Sequence, residues 1–232
     1  MYQRLLACMM LFAFTQTKAQ QKNWISLFDG KTTNGWHTYG KAAVGEAWQV
    51  VDGTLMLDPS HKEGWQIKGG GDIVTNESFN DFHLQLEWKI SEKGNSGIIF
   101  FVQDDPKKYN YIWYTGPEMQ ILDNDGHADG KIFKHRAGNL YDLVAGVEGA
   151  VKPVGEWNLV DIINEKGTLT LKLNGITTVT TTIGDTGWNN LIKNSKFSKG
   201  ESPDFGKVFS GHIGLQDHGN QVWFRNIKIQ RL

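Results

Sequence analysis

The stretch FHLQLEWKI places Phe82, Leu84, Leu86, Trp88 and Ile90 at every second position, with His83, Gln85, Glu87 and Lys89 between them. Successive side chains of a β-strand point to opposite faces, so this run buries one face and leaves the other polar, which no helix of the same sequence would do. TLTLKLNGITTVTTTI repeats the pattern: Leu169, Leu171 and Leu173 alternate with Thr and Lys, and Asn174-Gly175 supplies the positive φ values of a tight hairpin turn before a β-branched return strand. WQVVDGTLML reads as a second hairpin through Asp52-Gly53. Ile98 to Val102, IIFFV, is apolar on both faces and is expected to be a central strand covered on each side. The segment from Thr186 to Lys207 is the one long excursion, with a short helix expected around Leu191. With 27 Gly, 12 Phe and 9 Trp against 5 Pro, the composition favours many short strands joined by turns. The expected class is all-β: a jelly-roll sandwich of two antiparallel sheets, one of them concave.

The 232 residues carry a net charge of −1, so no basic excess points to nucleic acid or an anionic membrane surface. Arg4, the apolar run from Leu5 to Phe14 and the small-residue pattern at Thr17-Lys18-Ala19 read as a signal peptide, residues 1–19, with cleavage after Ala19. Residues 20–232 then form a single exported domain, periplasmic or on the cell surface. Cys8, the only cysteine, precedes most of the apolar run and leaves too little of it ahead for a lipoprotein signal. The mature domain therefore has neither disulfide nor thiol chemistry. No later stretch is apolar for long enough to span a bilayer.

Applied to TGPEMQILDNDGHADGK, the same alternation sends Met119 and Ile121 to the core and Glu118 and Gln120 to the other face. In IGLQDHGNQVWF, Ile213 and Leu215 are core, which puts Gln216 and His218 opposite them. Two strands thus present acid, amide and imidazole on their non-core faces. Solvated surface explains any one of these; Tyr109, Tyr111, Trp113 and Tyr114 just before Glu118 suggest more. Flat rings beside hydrogen-bonding groups suit a sugar, with its apolar C–H faces and polar edges, although such rings also fill sandwich cores.

SLFDGKTTNGW, NSGIIFFV, GPEMQILD, RAGNLYD, EWN and GLQDHGNQVWFRNI, in this order from Ser26 to Leu232, resemble the 3-keto-disaccharide hydrolase family. That resemblance implies a concanavalin-like jelly roll acting on a small carbohydrate as a 3-keto-glucoside 1,2-lyase or 3-keto-2-hydroxyglucal hydratase, with no cofactor. Where many members carry an Arg, this chain has Phe101. The implied chemistry begins with a ketone at carbon 3, which acidifies the hydrogen on carbon 2. A base removes that proton, and the substituent on carbon 1 leaves by β-elimination. His218 is the expected base, because an unperturbed imidazole titrates near neutral pH. Glu118 serves as base or acid according to how far burial raises its pKa. Gln120 and Gln216 orient hydroxyls or donate to the enolate, Arg225 and His135 stabilise negative charge, and Trp113 lines the sugar site. Asp123, Tyr141 and Glu87 complete the candidate set.

Two other readings stay open. Glu118, Gln120 and Asp123 have the spacing of the E-x-D-x-x-E signature of two-carboxylate glucanases, with the middle acid replaced by Gln and the last shortened to Asp. A non-catalytic sugar-binding module would use the aromatics and amides alone. DNDGHADGK resembles a calcium loop but departs from the EF-hand order, and His127 and His135 stand too far apart for a transition-metal pair, so no metal is expected. Oligomeric state is not legible.

Overall fold

Each alternating run forms a strand in the computed structural model, which describes residues 23–199 and 202–232. The expected signal peptide and Cys8 lie outside the described residues. In chain order the strands are β1 (Ile25–Ser26), β2 (Trp36–Thr38), β3 (Trp48–Val51), β4 (Thr54–Leu57), β5 (Lys62–Glu63), β6 (Gln66–Ile67), β7 (Ile73–Phe79) and β8 (Phe82–Ile90). They continue with β9 (Asn95–Val102), β10 (Glu118–Leu122), β11 (Asn158–Glu165), β12 (Thr168–Leu173), β13 (Ile176–Thr182), β14 (Gly211–Leu215) and β15 (Val222–Arg231).

An eight-stranded sheet runs β13-β12-β11-β8-β15-β4-β3, with β1 added beside β15. A five-stranded sheet runs β10-β9-β14-β7-β2, and β5 pairs with β6 in a small ribbon. All the pairings are antiparallel. The sheets share one core: Leu84, Leu86 and Trp88 of β8 and Val160 and Ile162 of β11 join Ile98 and Phe100 of β9 and Met119 and Ile121 of β10. Burying an apolar side chain of this size contributes about 1.5–3 kcal/mol, so the alternation that defines the strands also supplies the force that packs the sheets.

The hairpins fall where the turn chemistry puts them. Asn174 and Gly175 have φ of 53° and 83° between β12 and β13, and Asp52 and Gly53 have φ of 49° and 73° between β3 and β4. β9, buried along its whole length, lies between β10 and β14. The excursion after β13 contains α1 (Thr186–Lys193), capped by Asp185, whose side chain accepts from the Trp188 N–H at 2.7 Å. Among the described residues no helix is long and apolar enough to cross a membrane.

β14 belongs to the five-stranded sheet and β15 to the eight-stranded one. The Gln216-Asp217-His218-Gly219 stretch between them is therefore a crossover between layers and not a hairpin turn. It leaves the sheet beside β9, which is where the site forms.

Candidate active site

The floor of the site is the outer face of the five-stranded sheet. Gln120 of β10 pairs with Gly97 of β9, and Glu118 pairs with Ile99. On the other side of β9 the Gln216 N–H donates to the Gly97 carbonyl at 3.0 Å. Two amides thus flank a glycine, and the Glu118 side chain lies over it: a Cβ built on Gly97 would stand 2.6 Å from the Glu118 carboxyl carbon and closer still to Oε1. Only glycine leaves room for that carboxyl against the sheet. Gln120 accepts the Ile121 N–H with its own Oε1 at 3.1 Å, which leaves its amide nitrogen as the group that can donate outward. Asn95, on the same face of β9 as Gly97, is buried with its Oδ1 lacking a hydrogen-bond partner.

Glu118 is only 6% exposed. Burial pushes its pKa up to about 8, against the nearby Lys196 ammonium and reinforced by Asp72 and Asp129. His218 moves the other way, below its ordinary value, through burial and then the proximity of His127. At neutral pH the cavity therefore holds a protonated carboxyl and a neutral imidazole.

Asp217 fixes the crossover that carries His218. Its Oδ2 accepts the Ile67 N–H at 3.0 Å and the Gly71 N–H at 2.8 Å, while Oδ1 accepts the Gly219 N–H at 2.9 Å. The Asp217 N–H in turn donates to Asp72 Oδ1 at 2.9 Å. These bonds tie the β5–β6 ribbon to the crossover, so Trp65 stands 5.9 Å from the His218 ring, centroid to centroid. Trp65 also lies nearly parallel to Trp113 at 6.3 Å, and Tyr111 packs on Trp113 at 4.2 Å. The opposite wall comes from the excursion. Lys196 donates its backbone N–H to Asp142 Oδ2 at 2.6 Å and its ammonium to the Tyr141 hydroxyl at 3.1 Å. The Tyr141 hydroxyl donates to Asp129 Oδ2 at 3.3 Å, and burial followed by the Glu118 and Asp129 charges holds its pKa above the usual phenol value.

Together Trp65, Trp113, Glu118, Tyr141, Lys196 and His218, with Asn95, Gln120, Gln216 and Phe197, enclose a cavity of about 180 Å³. Residues 23–230 match the model of the 3-keto-alpha-glucoside-1,2-lyase-like domain. The chain belongs to that family. It is 36% identical over 235 residues to a 3-keto-disaccharide hydrolase of Bacteroides thetaiotaomicron, an alignment covering 94% of this chain and 81% of the relative. A crystal structure of a proposed glycosyl hydrolase from Parabacteroides distasonis superposes with a TM-score of 0.80 at 32% identity, over 90% of this chain and 94% of that one. A protein of galectin-like fold from Bacillus subtilis, at a TM-score of 0.54 and 15% identity over 84% of this chain and 89% of that one, shares the fold. As a 3-keto-glucoside-lyase-like protein the chain is a carbohydrate-active enzyme of the lyase and hydrolase kind.

In this family member the cavity gathers six of the ten residues singled out from sequence: His218, Glu118, Gln120, Gln216, Tyr141 and Trp113. The other four are elsewhere. His135 sits behind the wall, with its ring 4.3 Å from Tyr141 and its Nε2 3.1 Å from Asp142 Oδ1, so it supports Tyr141. Asp123 follows β10 and ties the next turn to the β8–β9 connection: its carboxylate accepts the N–H groups of Lys93, Asp125 and Gly126 at 2.7, 3.2 and 2.9 Å. Arg225 and Glu87 face each other on the eight-stranded sheet, 2.6 Å apart, well away from the cavity. Phe101 is fully buried among the Phe82 and Phe100 rings, so no substrate contact comes from its side chain.

Lys196, Phe197, Trp65 and Asn95 escaped the sequence reading. The first two stand in a polar excursion with no periodicity, and Trp65 stands in a two-residue-strand ribbon too short to show one. Asn95 opens the NSG run, and its position two residues before Gly97 on one strand face was the available signal. Among the described residues no group of three or more His, Cys, Asp or Glu could hold a metal ion.

Proposed function

We propose that this enzyme cleaves 3-keto-glycosides by proton abstraction at carbon 2 and β-elimination of the carbon 1 substituent. The observation that carries this reading is that Glu118 is the one carboxylate among the described residues lining the cavity, with a neutral imidazole as its companion. A two-carboxylate hydrolysis would need a second acid, and Asp123 is committed to three backbone N–H groups, two in the turn after β10 and one, that of Lys93, between β8 and β9.

His218 accepts the carbon 2 proton, and the C–H electrons form the enolate of the carbon 3 ketone. The Lys196 ammonium and the Gln120 and Gln216 amides are the donors available to the enolate oxygen. As the ketone reforms, a double bond forms between carbons 1 and 2, the glycosidic C–O bond breaks, and the departing oxygen takes the proton held by Glu118. The products are a 2-hydroxyglucal ketone and a free alcohol; adding water across the new double bond returns a 3-keto sugar. No electron is gained or lost from outside. A Glu with a pKa near 8 and a His below its ordinary value suit donor and acceptor respectively. The tryptophan faces of Trp65 and Trp113 suit the C–H surface of a sugar ring, and the small cavity suits one ring better than a long glycan. The Arg4-to-Ala19 segment supports an exported enzyme that meets its substrate outside the cytoplasm.

The test pairs a plain glucoside with its 3-keto derivative. Aglycone release from the keto sugar alone, slowed by deuterium at carbon 2, is the expected result. Release from the plain glucoside with carbon 2 untouched would select the glycosidase instead, and binding without release would select the sugar-binding module.

A further inference from the structure

Beside the reaction cavity lies a second one of about 230 Å³, lined by Trp113, Tyr114, Lys196, Phe197, Lys199 and Ser202. Trp113, Lys196 and Phe197 belong to both, so the two cavities meet along these three side chains. Both are walled by aromatic rings, and they differ in their polar groups. The first is lined with amides and a carboxyl, the groups that read hydroxyls. The second has three aromatic rings, one hydroxyl beyond that of Tyr114, two ammonium groups and, among its described lining, no carboxylate or amide. Its aromatic wall is braced: Phe197 stacks on Phe205 at 3.8 Å with planes 7° apart, and Trp113 packs on Tyr114 at 5.1 Å. Lys196 stands at the junction, held by Tyr141 and Asp142.

We infer that the second cavity is the leaving-group subsite and that it takes a flat aromatic aglycone bearing an anionic substituent. The inference rests on the proposed elimination, which puts the oxidised ring against Glu118 and His218 and sends the carbon 1 substituent outward. A second sugar would bring several hydroxyls to a surface with few groups to pair them, whereas a phenyl ring satisfies the aromatic walls and leaves its anionic edge for Lys199. When the C1–O bond breaks, its electron pair passes to the aglycone oxygen beside the Lys196 ammonium, and Glu118 supplies the proton. A phenolic oxygen is the leaving group that such a site favours.

The experiment compares 3-keto-glucosides of 4-hydroxyphenylacetate and of its neutral amide, which match in size and nearly in leaving-group acidity, with methyl and glucosyl 3-keto-glucosides as references. The expected result is that kcat/KM for the anionic aromatic exceeds that for the amide about twofold to fivefold, the range of a partly exposed charge pair. Lys199→Glu should bring that ratio to one or below, and Lys199→Arg should keep it. Because the ratio is read within one protein, a variant that folds poorly lowers both rates and leaves the ratio informative. Equal turnover of the two aromatics, a ratio unmoved by Lys199→Glu, or faster turnover of the keto-disaccharide would each overturn the subsite while leaving the elimination standing. Failure to turn over any keto-glucoside, the methyl one included, would overturn the elimination and the subsite with it.

Discussion

The two sheets each carry a polar outer face, written in the same period-two alternation, and they use it in opposite ways. On the eight-stranded sheet the central charges are paired. Arg225 reaches Glu87 at 2.6 Å and lies 4.0 Å above the Trp157 ring, while Asp161 accepts from Gln85 at 2.9 Å and sits 2.7 Å from His83. The His83 hydrogen bond holds Asp161 below the usual carboxylate range. Glu87 is held low as well: burial would raise it, but Arg225 and Asn226 outweigh that effect. On the five-stranded sheet Glu118 is buried and pushed up to about 8, and Asn95 keeps an unpaired carbonyl. Satisfied charges stabilise a surface at little cost, whereas an uncompensated buried acid costs stability and is kept for its chemistry. The difference separates a scaffold face from a working one.

The largest effect that would sharpen this contrast lies at Glu118 and His218. Glu118→Gln and His218→Ala should each lower turnover of a 3-keto-glucoside by about a hundredfold or more, with a much smaller loss of binding. Turnover of the native enzyme should rise with pH as His218 loses its proton, below the ordinary 6.5, and fall as Glu118 ionises near 8. On the acid limb stability should move against activity. A carboxyl whose folded pKa is raised is easiest to fold protonated, so its contribution is most favourable below the unfolded value of 4.5 and is lost as pH climbs toward 8. Glu118→Gln, which never ionises, should therefore have a higher unfolding free energy than the native protein at pH 8, by on the order of 1 kcal/mol or more. Full activity in both variants would dissolve the distinction between the faces.

A second, smaller effect lies beneath Glu118. Gly97→Ala would put a Cβ against the carboxyl that now rests on the glycine backbone, and the central strand gives it nowhere to go. Either the Glu118 side chain turns out of place or the sheet spreads, at about 1–3 kcal/mol for an overpacked site. Turnover should fall about tenfold, with KM for the keto sugar changing less than kcat, because displacing a proton donor by an ångström is felt mainly in the transition state. An unchanged kcat would show that the Glu118 carboxyl need not lie against the sheet.

The contrast also explains what could be read in advance. Alternation and turn residues placed β8, the Asn174-Gly175 and Asp52-Gly53 hairpins and the buried β9, because those depend on neighbours in sequence. The same alternation assigned Glu118, Gln120 and Gln216 to one face correctly. It could not say which polar face was covered by loops, so Glu87 and Arg225 stood in the candidate set behind Glu118 until the pairing was known. Covering depends on contacts distant in sequence. Asp217 holds Ile67 and Gly71 from 150 and 146 residues away, and Lys196 meets Tyr141 across 55. No period marks such contacts, which is why the Trp65 ribbon and the Lys196 wall went unread while the sheet beneath them did not.

The smallest effect belongs to the eight-stranded face and is the one best able to break the comparison. Glu87→Gln removes the partner of Arg225, a guanidinium more than a third exposed, so solvent screening limits the loss to about 1 kcal/mol at most. The sign with pH follows from the depressed carboxyl. Its contribution is present above the ordinary value of 4.5 and is lost as pH falls through the lower folded value. Native and variant proteins should accordingly differ slightly in urea midpoint at pH 7 and converge at pH 3, where the carboxylate they differ by is protonated. Turnover of the keto-glucoside should match the native rate within twofold, since the pair stands on the sheet opposite the cavity and moves no proton there. A tenfold loss of kcat with an unchanged urea midpoint would mean that Glu87 acts on the reaction, and a paired charge on the eight-stranded sheet could then no longer be taken as a mark of scaffold.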